Sequence, residues 1–151
     1  MILLSSIPYK LSEMQPQLIT INTVPTQNIG SLSFFEAKRD IPFSINRIYY
    51  IHGVPENTER GAHAHKELKQ LLFCPYGSVK ILLDNGKEKS EVILDNPSKG
   101  LIITPCIWRD MIWLVENSVL CVAASDYYNE DDYIRDYSEF ITWINSHEYR
   151  V

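Results

Sequence analysis

The chain has 151 residues, of which 45% are hydrophobic, and this length and composition fit one globular domain with a single core. Its formal net charge of −5 argues against a nucleic acid or an anionic membrane surface as a partner. No apolar stretch reaches the roughly 20 residues that cross a bilayer, and the apolar opening is too short for a signal sequence. We therefore expect a single domain over residues 1–151, in a cytoplasmic protein.

Strand signals dominate the chain from residue 18 onwards. Residues 1–17 contain two prolines and are interpreted as an N-terminal extension that packs against the body or a partner. Beyond it, alternating polar and apolar residues predict strands at 18–22, 30–36, 45–51, 78–83, 90–94, 101–104, 108–115 and 119–125. Asn85-Gly86, between two alternating runs, is a strong hairpin signal. Within 45–51, Arg47 and Tyr49 share one face.

The hydrophobic period changes near the C-terminus. Large apolar residues recur there at helical spacing, at Tyr133, Tyr137, Phe140, Ile141 and Ile144. Asp136 and Glu139 have the spacing of a capping box. We therefore predict a C-terminal helix within 130–151 whose apolar stripe packs on the body. Many short strands followed by one helix predict an all-β fold, an antiparallel barrel or jelly roll over 18–126.

A pair of histidines is the strongest candidate for a functional site. His63 and His65 stand two residues apart, so on a strand both imidazoles point to the same face. Arg60 and Lys66 flank them, and such a polar stretch is unusual in a strand that only packs a core. Two hydrogen-bonded structural histidines inside the barrel remain the alternative.

The histidine pair resembles the start of the cupin sequence pattern. Its first half, His-x-His followed by Glu and Gly, keeps its spacing here, but Gln70 replaces the Glu. In the second half, Arg109 and Asp110 stand where a late His is expected. A guanidinium cannot coordinate a cation, and two histidines fall short of the three protein ligands usual at a catalytic metal. The pattern therefore predicts a cupin that works without a metal or another cofactor.

Several blocks of the chain resemble the sugar 3,4-ketoisomerases, in the same order and spacing over residues 30–144. The blocks are Pro42-Phe43-Ser44-Ile45-x-Arg47-x-Tyr49-Tyr50-Ile51, Arg60-Gly61-x-His63-Ala64-His65-Lys66, Ile107-Trp108 and Ala124-Ser125-Asp126-Tyr127-Tyr128-x-Glu130-x-Asp132-Tyr133-Ile134-Arg135. The resemblance implies conversion of dTDP-4-keto-6-deoxyglucose into a dTDP-3-keto-6-deoxyhexose through an enediol or enediolate. An aminotransferase would then act on the product, in the synthesis of 3-amino-3,6-dideoxy sugars.

The resemblance also implies a role for each candidate residue. His65 would carry a proton between C3 and C4, His63 would hold or relay protons at the sugar hydroxyls, and Tyr49 would donate to the enediolate oxygen. The substrate-binding candidates are Arg47, Arg60 and Lys66 for the pyrophosphate, with Gln70, Trp108 and Arg109 nearer the sugar or the thymine.

Simpler roles stay open for several of these residues. Tyr49 could be a hydrogen-bonded barrel aromatic, and Trp108 could belong to the core. Each cation taken alone could be a solvated surface charge. The configuration at C4 is also open, because Ile29 and Arg109 lie in blocks that vary within the family.

Three other functions fit the same sequence. A metal-dependent cupin would bind iron, manganese or zinc, and a nucleotide-sugar 3,5-epimerase would exchange a proton at C5 as well. A nucleotide-sugar-binding cupin module would bind without turnover. For assembly, the resemblance implies a homodimer with exchanged N-terminal strands.

Overall fold

The computed structural model of the protein describes residues 15–148. Most of the predicted N-terminal extension lies outside the described residues, as do residues 149–151. The strands are β1 (Gln17–Thr20), β2 (Asn22–Thr26), β3 (Gly30–Phe34), β4 (Arg47–Ile51), β5 (Glu59–His65), β6 (Gln70–Tyr76), β7 (Val79–Asp84), β8 (Lys89–Leu94), β9 (Lys99–Ile103), β10 (Trp108–Trp113), β11 (Val119–Ala124) and β12 (Tyr133–Ile134). A 3-10 helix covers Glu130–Asp132, and the helix α1 covers Tyr137–Glu148.

Ten of the described strands form two antiparallel sheets of five. The first has the order β1-β9-β6-β11-β4 and the second the order β12-β5-β10-β7-β8. β2 and β3 pair only with each other within the described chain. The predicted all-β jelly roll with a C-terminal helix is confirmed, but the strands form two sheets rather than one closed barrel.

The main core lies between the two sheets. Alternate residues of each strand point inward, such as Leu72 and Val122 from the first sheet and Ile81 and Trp113 from the second. All four are nearly or completely buried. The same alternation directs Tyr49 inward on β4 and leaves the next residue outside, so the strand period decides which polar side chains can enter the interior.

The outer faces of both sheets are partly covered. On the second sheet, Phe140 and Ile144 of α1 pack against Ala64 and Trp108. On the first sheet, the loop between β3 and β4 supplies Ile41 and Phe43, which pack against Leu71 and Ile102. The helix and the loop thus cover apolar parts of the two outer faces.

The C-terminal helix begins where the capping-box spacing predicts, but Tyr133 is not part of it. Asp136 Oδ1 accepts the backbone N–H of Glu139 at 3.0 Å, which confirms Asp136 as the cap of α1. Tyr133, predicted to belong to the helical stripe, instead pairs with His65 as part of β12. Before α1 the chain forms the 3-10 turn Glu130–Asp132 and then β12, whose two residues pair with β5 rather than continuing a helix.

The N-terminal strand is also interrupted. The predicted strand at 18–22 is split at Ile21, which separates β1 from β2. The side chain of Ile21 is buried, and its backbone N–H donates to the carbonyl of Ser98 at 2.7 Å. The hairpin predicted at Asn85-Gly86 does join β7 to β8. Among the described residues, no helix has the length and apolar character needed to cross a membrane.

Candidate active site

The candidate active site lies at one end of the sandwich, between the two sheets. Its walls come from the inner faces of β4, β5 and β10 and from the segment around β12. A pocket of about 310 Å³ opens there. Its lining residues are Arg47, Tyr49, Ile51, Arg60, Gly61, His63, Met111, Tyr133 and Arg135.

A β-bulge in β5 decides which side chains enter this pocket. His63 is paired with Arg109, and the register then shifts before Gly61, so Ala62 is an extra residue with φ of 55°. Gly61 has φ of 105°, and a Cβ on it would lie 2.9 Å from the carbonyl oxygen of Arg109. Strict alternation would turn Arg60 away from His63, but the bulge brings both side chains to the pocket.

The two histidines lie together on the inner face, with ring centroids 5.0 Å apart. His63 forms part of the pocket wall, whereas His65 is fully buried behind it, with the Tyr133 ring 4.3 Å away between centroids. Burial lowers the pKa of His63 to about 3 and that of His65 to about 4, and the charge of Arg109 acts in the same direction. Both imidazoles are therefore neutral near pH 7 and can accept a proton.

Asp132 holds the inner histidine in place. Its Oδ2 lies 2.9 Å from His65 Nδ1, and its Oδ1 accepts the backbone N–H of Glu67 at 2.8 Å. Burial raises the pKa of Asp132, but the bonds from His65 and Glu67 outweigh this effect and leave it below the ordinary value. The other ring nitrogen, His65 Nε2, is buried and has no hydrogen-bond partner within the described part of the chain.

Arg109, Gln70 and Tyr49 form a directed chain of hydrogen bonds. Arg109 Nη1 donates to Gln70 Oε1 at 2.7 Å, and Gln70 Nε2 donates to the phenol oxygen of Tyr49 at 2.8 Å. Because that oxygen already accepts a bond, the hydroxyl hydrogen of Tyr49 is free to donate to a ligand. Burial raises the pKa of Tyr49, so the phenol keeps its proton.

Arg109 brings a positive charge into the protein interior. Its side chain is 2% exposed, and its Nε and Nη2 have no hydrogen-bond partner among residues 15–148. Burial lowers the pKa of Arg109 to about 10, so the guanidinium remains charged near pH 7. Two nitrogens without hydrogen-bond partners on a buried cation are costly unless a ligand, preferably one with negative charge, bonds to them.

Three further arginines, Arg47, Arg60 and Arg135, surround the opening of the pocket. Arg135 is bonded to Glu130 at 2.7 Å, and its guanidinium lies 4.2 Å from the centroid of the Tyr133 ring. The Arg47 guanidinium lies 5.3 Å from the centroid of the Tyr49 ring. Three cations around one opening of an acidic chain suit a doubly charged ligand such as a pyrophosphate.

Four of the residues predicted to bind substrate do not line this pocket. Gln70 and Arg109 are buried behind it, and Lys66 and Trp108 lie on the outer face of the sheet. Lys66 Nζ donates to the carbonyl of Asp131 at 2.9 Å and lies 5.0 Å from the centroid of the Trp143 ring. Trp108 packs against Tyr137 and Phe140 under α1. Lys66 and Trp108 are each next in sequence to an inward residue, His65 or Arg109, and the strand period therefore turns them to the outer face.

The residues at the cupin metal positions do not fit a metal ion. Gln70 is held by Tyr49 and Arg109, and Arg109 places a cation where the late histidine would stand. Within residues 15–148, no three His, Cys, Asp or Glu side chains come together as a set of ligands. A histidine pair next to a guanidinium is instead suited to binding and moving protons on an anionic or enolisable ligand.

Three residues of the site received no role from the sequence: Asp132, Tyr133 and Arg135. All three belong to the block from Ala124 to Arg135 that carries the family resemblance, which is the signal that could have pointed to them. Their contact with the histidines depends on β12 pairing with β5 across 67 residues of sequence, between His65 and Asp132. That long-range pairing leaves no periodic trace in the chain.

A two-sheet jelly roll with a histidine pair on its inner face is the arrangement of a cupin. A family model described as "FdtA: WxcM-like, C-terminal" matches residues 14–145. The chain is 45% identical over 115 residues to the TDP-4-oxo-6-deoxy-alpha-D-glucose-3,4-oxoisomerase of Aneurinibacillus thermoaerophilus, covering 76% of this chain and 83% of that protein. The chain belongs to this WxcM-like family, and the predicted resemblance to sugar 3,4-ketoisomerases is confirmed.

Solved structures agree with this assignment. QdtA, a sugar 3,4-ketoisomerase from Thermoanaerobacterium thermosaccharolyticum in complex with TDP, matches with a TM-score of 0.83 and 44% identity, over 87% of this chain and 95% of that chain. A histidine-to-asparagine mutant of QdtA in complex with TDP-4-keto-6-deoxyglucose matches with a TM-score of 0.83 and 43% identity, over 87% of this chain and 94% of that chain. TDP in these names is thymidine diphosphate, the same group as dTDP.

Proposed function

We propose that the protein is a 3,4-ketoisomerase that converts dTDP-4-keto-6-deoxyglucose into a dTDP-3-keto-6-deoxyhexose. One observation carries the proposal: a neutral imidazole nitrogen, His65 Nε2, and an unsatisfied cation, Arg109, are buried at the same end of the sandwich. A base together with a site for developing negative charge is what enolisation of a ketone requires.

The reaction moves one hydrogen between neighbouring carbons and a second hydrogen between the oxygens that they carry. The ketone at C4 acidifies the C3–H bond, and His65 Nε2 removes that proton to give an enediolate. The same imidazole, or water exchanging with it, returns a proton to C4. The hydrogen of the C3 hydroxyl passes to the C4 oxygen, so C3 becomes the new ketone and C4 carries the new hydroxyl. Electrons move only within the substrate, so the step needs no external oxidant or reductant.

The remaining polar groups stabilise the intermediate and relay protons. The Tyr49 hydroxyl, whose oxygen is held by Gln70, has a hydrogen to donate to the enediolate oxygen. Arg109 contributes the buried positive charge, and His63 stands at the wall where the sugar hydroxyls would lie. Because the Tyr133 ring covers His65, we propose that this ring moves aside when the sugar enters.

The mouth of the pocket is proposed to bind the pyrophosphate. Arg47, Arg60 and Arg135 would neutralise its two negative charges, and Arg135 would exchange its bond to Glu130 for one to phosphate. Lys66 has no part in this proposal, because its ammonium group is bonded to the carbonyl of Asp131.

The test is to incubate the protein with dTDP-4-keto-6-deoxyglucose in deuterated water and follow the sugar by NMR. We expect the ketone to move to C3 and deuterium to enter at C4. A His65→Asn variant should abolish both while keeping the fold, and His147→Asn on the exposed face of α1 is the matched control. Deuterium at C5 would indicate a 3,5-epimerase, and binding without any exchange would indicate a module without turnover. Either result would refute the proposal.

We also propose that two copies of the chain form a dimer by exchanging the β2–β3 hairpin. All strand residues of this hairpin are exposed in the single chain. Val24, Leu32 and Phe34 share one face of it, while Thr23 and Ser33 are on the other. An isolated two-stranded hairpin is marginally stable, so we expect its apolar face to pack against a second copy of the chain.

The first sheet offers a place for the exchanged hairpin. β4 ends that sheet and has no neighbour on its outer side among the described strands. Ile48 and Tyr50 of β4 are exposed as well. Light scattering should give twice the chain mass, and Leu32→Asp should give a monomer while Ser31→Asp on the polar face should not. A monomeric wild-type protein at micromolar concentration would contradict this assembly.

A further inference from the structure

We infer that Asp132 is a positioning residue of the isomerase, which keeps the proton of the neutral His65 ring on Nδ1 and so leaves Nε2 as the base. This inference rests on the proposed function and adds a residue to which that function gave no role. Its basis is the 2.9 Å contact between Asp132 Oδ2 and His65 Nδ1.

The chemistry of the contact fixes the tautomer. An ionised carboxylate can only accept hydrogen bonds, so the nitrogen that faces it must carry the hydrogen. In a neutral imidazole the other nitrogen then bears the lone pair. That nitrogen, His65 Nε2, is the buried atom left without a partner in the described part of the chain.

Asp132 is itself held at two further points. Its Oδ1 accepts the N–H of Glu67 at 2.8 Å, and its backbone carbonyl accepts the N–H of Lys66 at 3.0 Å. The preceding 3-10 turn is capped by Asn129, whose side chain accepts the N–H of Asp131. The carboxylate therefore cannot swing away from His65 without losing its bond from Glu67, and the backbone bond from Lys66 holds the residue beside the ring.

Asp132 also offsets the cations around His65. Arg109 of β10 and Arg47 of β4 both lower the pKa of His65, whereas Asp132 raises it by its hydrogen bond and its charge. His63 on the same strand and Tyr133 of β12 are the other titratable side chains packed against the ring. Among these neighbours within residues 15–148, only Asp132 contributes a negative charge near pH 7, so the base would be weaker without it.

Asp132→Asn is the direct test. An amide can donate to Nδ1 and so favour the tautomer with the hydrogen on Nε2, which removes the lone pair from the substrate side. We expect kcat to fall about 10²- to 10⁴-fold with KM changed less than about twofold. Asp131→Asn makes the same change of charge at the next residue, whose carboxylate has no hydrogen bond within the described chain, and should leave kcat unchanged.

A spectroscopic measurement tests the tautomer without relying on any loss of activity. In protein labelled with ¹⁵N-histidine, two-bond proton–nitrogen spectra identify which ring nitrogen is protonated, and the His65→Asn spectrum assigns the signals. We expect a proton on Nδ1 of His65 in the wild type and on Nε2 in Asp132→Asn.

The outcomes separate this inference from the proposed function. A wild-type protein that does not move the ketone refutes the function, whereas an active wild type with the proton on His65 Nε2 overturns the inference. It is equally overturned if Asp132→Asn keeps kcat within about threefold of Asp131→Asn. If Asp132→Asn does not fold, the wild-type spectrum alone decides.

Discussion

The inner end and the mouth of the pocket place cations in different environments. Behind the pocket wall, in the region that we call the floor, His65, Gln70 and Arg109 are at most 2% exposed. Their side-chain hydrogen bonds join Gln70 to Arg109 and reach the partly buried Asp132 and Tyr49. At the mouth, Arg60 and Arg135 are exposed, and Arg135 is bonded to the exposed Glu130. The floor is shielded from solvent, whereas the charges at the mouth are exposed and screened.

This difference suggests a division of labour between the two regions. A fixed dipole or charge in a dry site needs no rearrangement as negative charge develops, so the floor is suited to the chemical step. Exposed cations attract and hold an anion that is the same before and after the reaction, so the mouth is suited to binding. Changes at the floor should therefore lower kcat, and changes at the mouth should raise KM.

Arg109→Met, a substitution at the floor, should have a larger effect than any single substitution at the mouth. It keeps the length of the side chain but removes the buried charge, and we expect kcat to fall about 10²- to 10³-fold. Stability should hold or rise, because burying a cation costs several kcal/mol and its bond to Gln70 returns about 1 kcal/mol. Steady-state kinetics and thermal unfolding check both, with Arg39→Met on the exposed loop as control. A large fall in Tm would mean that Arg109 is structural.

Arg60→Gln should have a smaller effect, on KM rather than on kcat. Losing one charge-assisted bond to a phosphate at an exposed site should raise KM about tenfold. The effect should shrink as salt is added, because exposed charges are screened. Arg39→Gln is the matched control, since Arg39 pairs only with the exposed Glu36 among the described residues. A fall in kcat with KM unchanged would mean that Arg60 acts in the chemical step, and the division of labour between floor and mouth would be wrong.

The sequence could predict those parts of each region that depend on interactions between residues close together in the chain. The shared face of His63 and His65, the hairpin at Asn85-Gly86 and the cap at Asp136 depend on neighbours a few residues away, and all three agree with the structure. The family resemblance supplied Arg109 and Tyr49, but not the bond that links them through Gln70. Patterns of local period carry no information about such distant partners.

The predicted binding residues that lie outside the pocket have the same origin. Lys66 and Trp108 lie in the right sequence blocks, but the strand period turns them away from the pocket. Strict strand alternation would put Arg60 on the outer face, opposite to His63. The extra residue Ala62 in the bulge brings its side chain to the pocket. A bulge is set by the fit of one strand against its neighbour, here around Gly61 and Arg109, and one strand read alone does not reveal it.

Lowering the pH from 7 to 5 should reduce kcat/KM only slightly, whereas a base with the ordinary pKa of histidine would lose most of its activity. With the pKa of His65 at about 4, kcat/KM should fall less than about twofold between pH 7 and pH 5. A base with the ordinary pKa of about 6.5 would lose more than tenfold over the same interval. The pH profile of kcat/KM for the wild type distinguishes a buried base from an ordinary one. A fall in kcat/KM with a midpoint near pH 6.5 would mean that solvent reaches His65.

Stability should respond to acid more strongly than activity does. Between about pH 6.5 and pH 4 the unfolded chain protonates His65 and the folded chain does not, so the free energy of unfolding should fall as pH is lowered through this window. His63, with its pKa at about 3, adds to the same trend. Urea unfolding at pH 7, 6 and 5 measures it, and a stability that stays constant would contradict the burial of both rings.

Lys66→Met should have the smallest effect, and it tests where the mouth ends. Lys66 is next to His65 in sequence, yet its ammonium group bonds to Asp131 and lies over Trp143, on the outer face of the sheet. Methionine keeps the apolar stem, so we expect both KM and kcat within about twofold of wild type and a loss of stability of about 0.5–1 kcal/mol. If KM instead rose tenfold, as expected for Arg60→Gln, the pyrophosphate would extend past β5 to the outer face. The mouth would then include residues from both sides of that strand, and strand period would no longer separate binding side chains from packing ones.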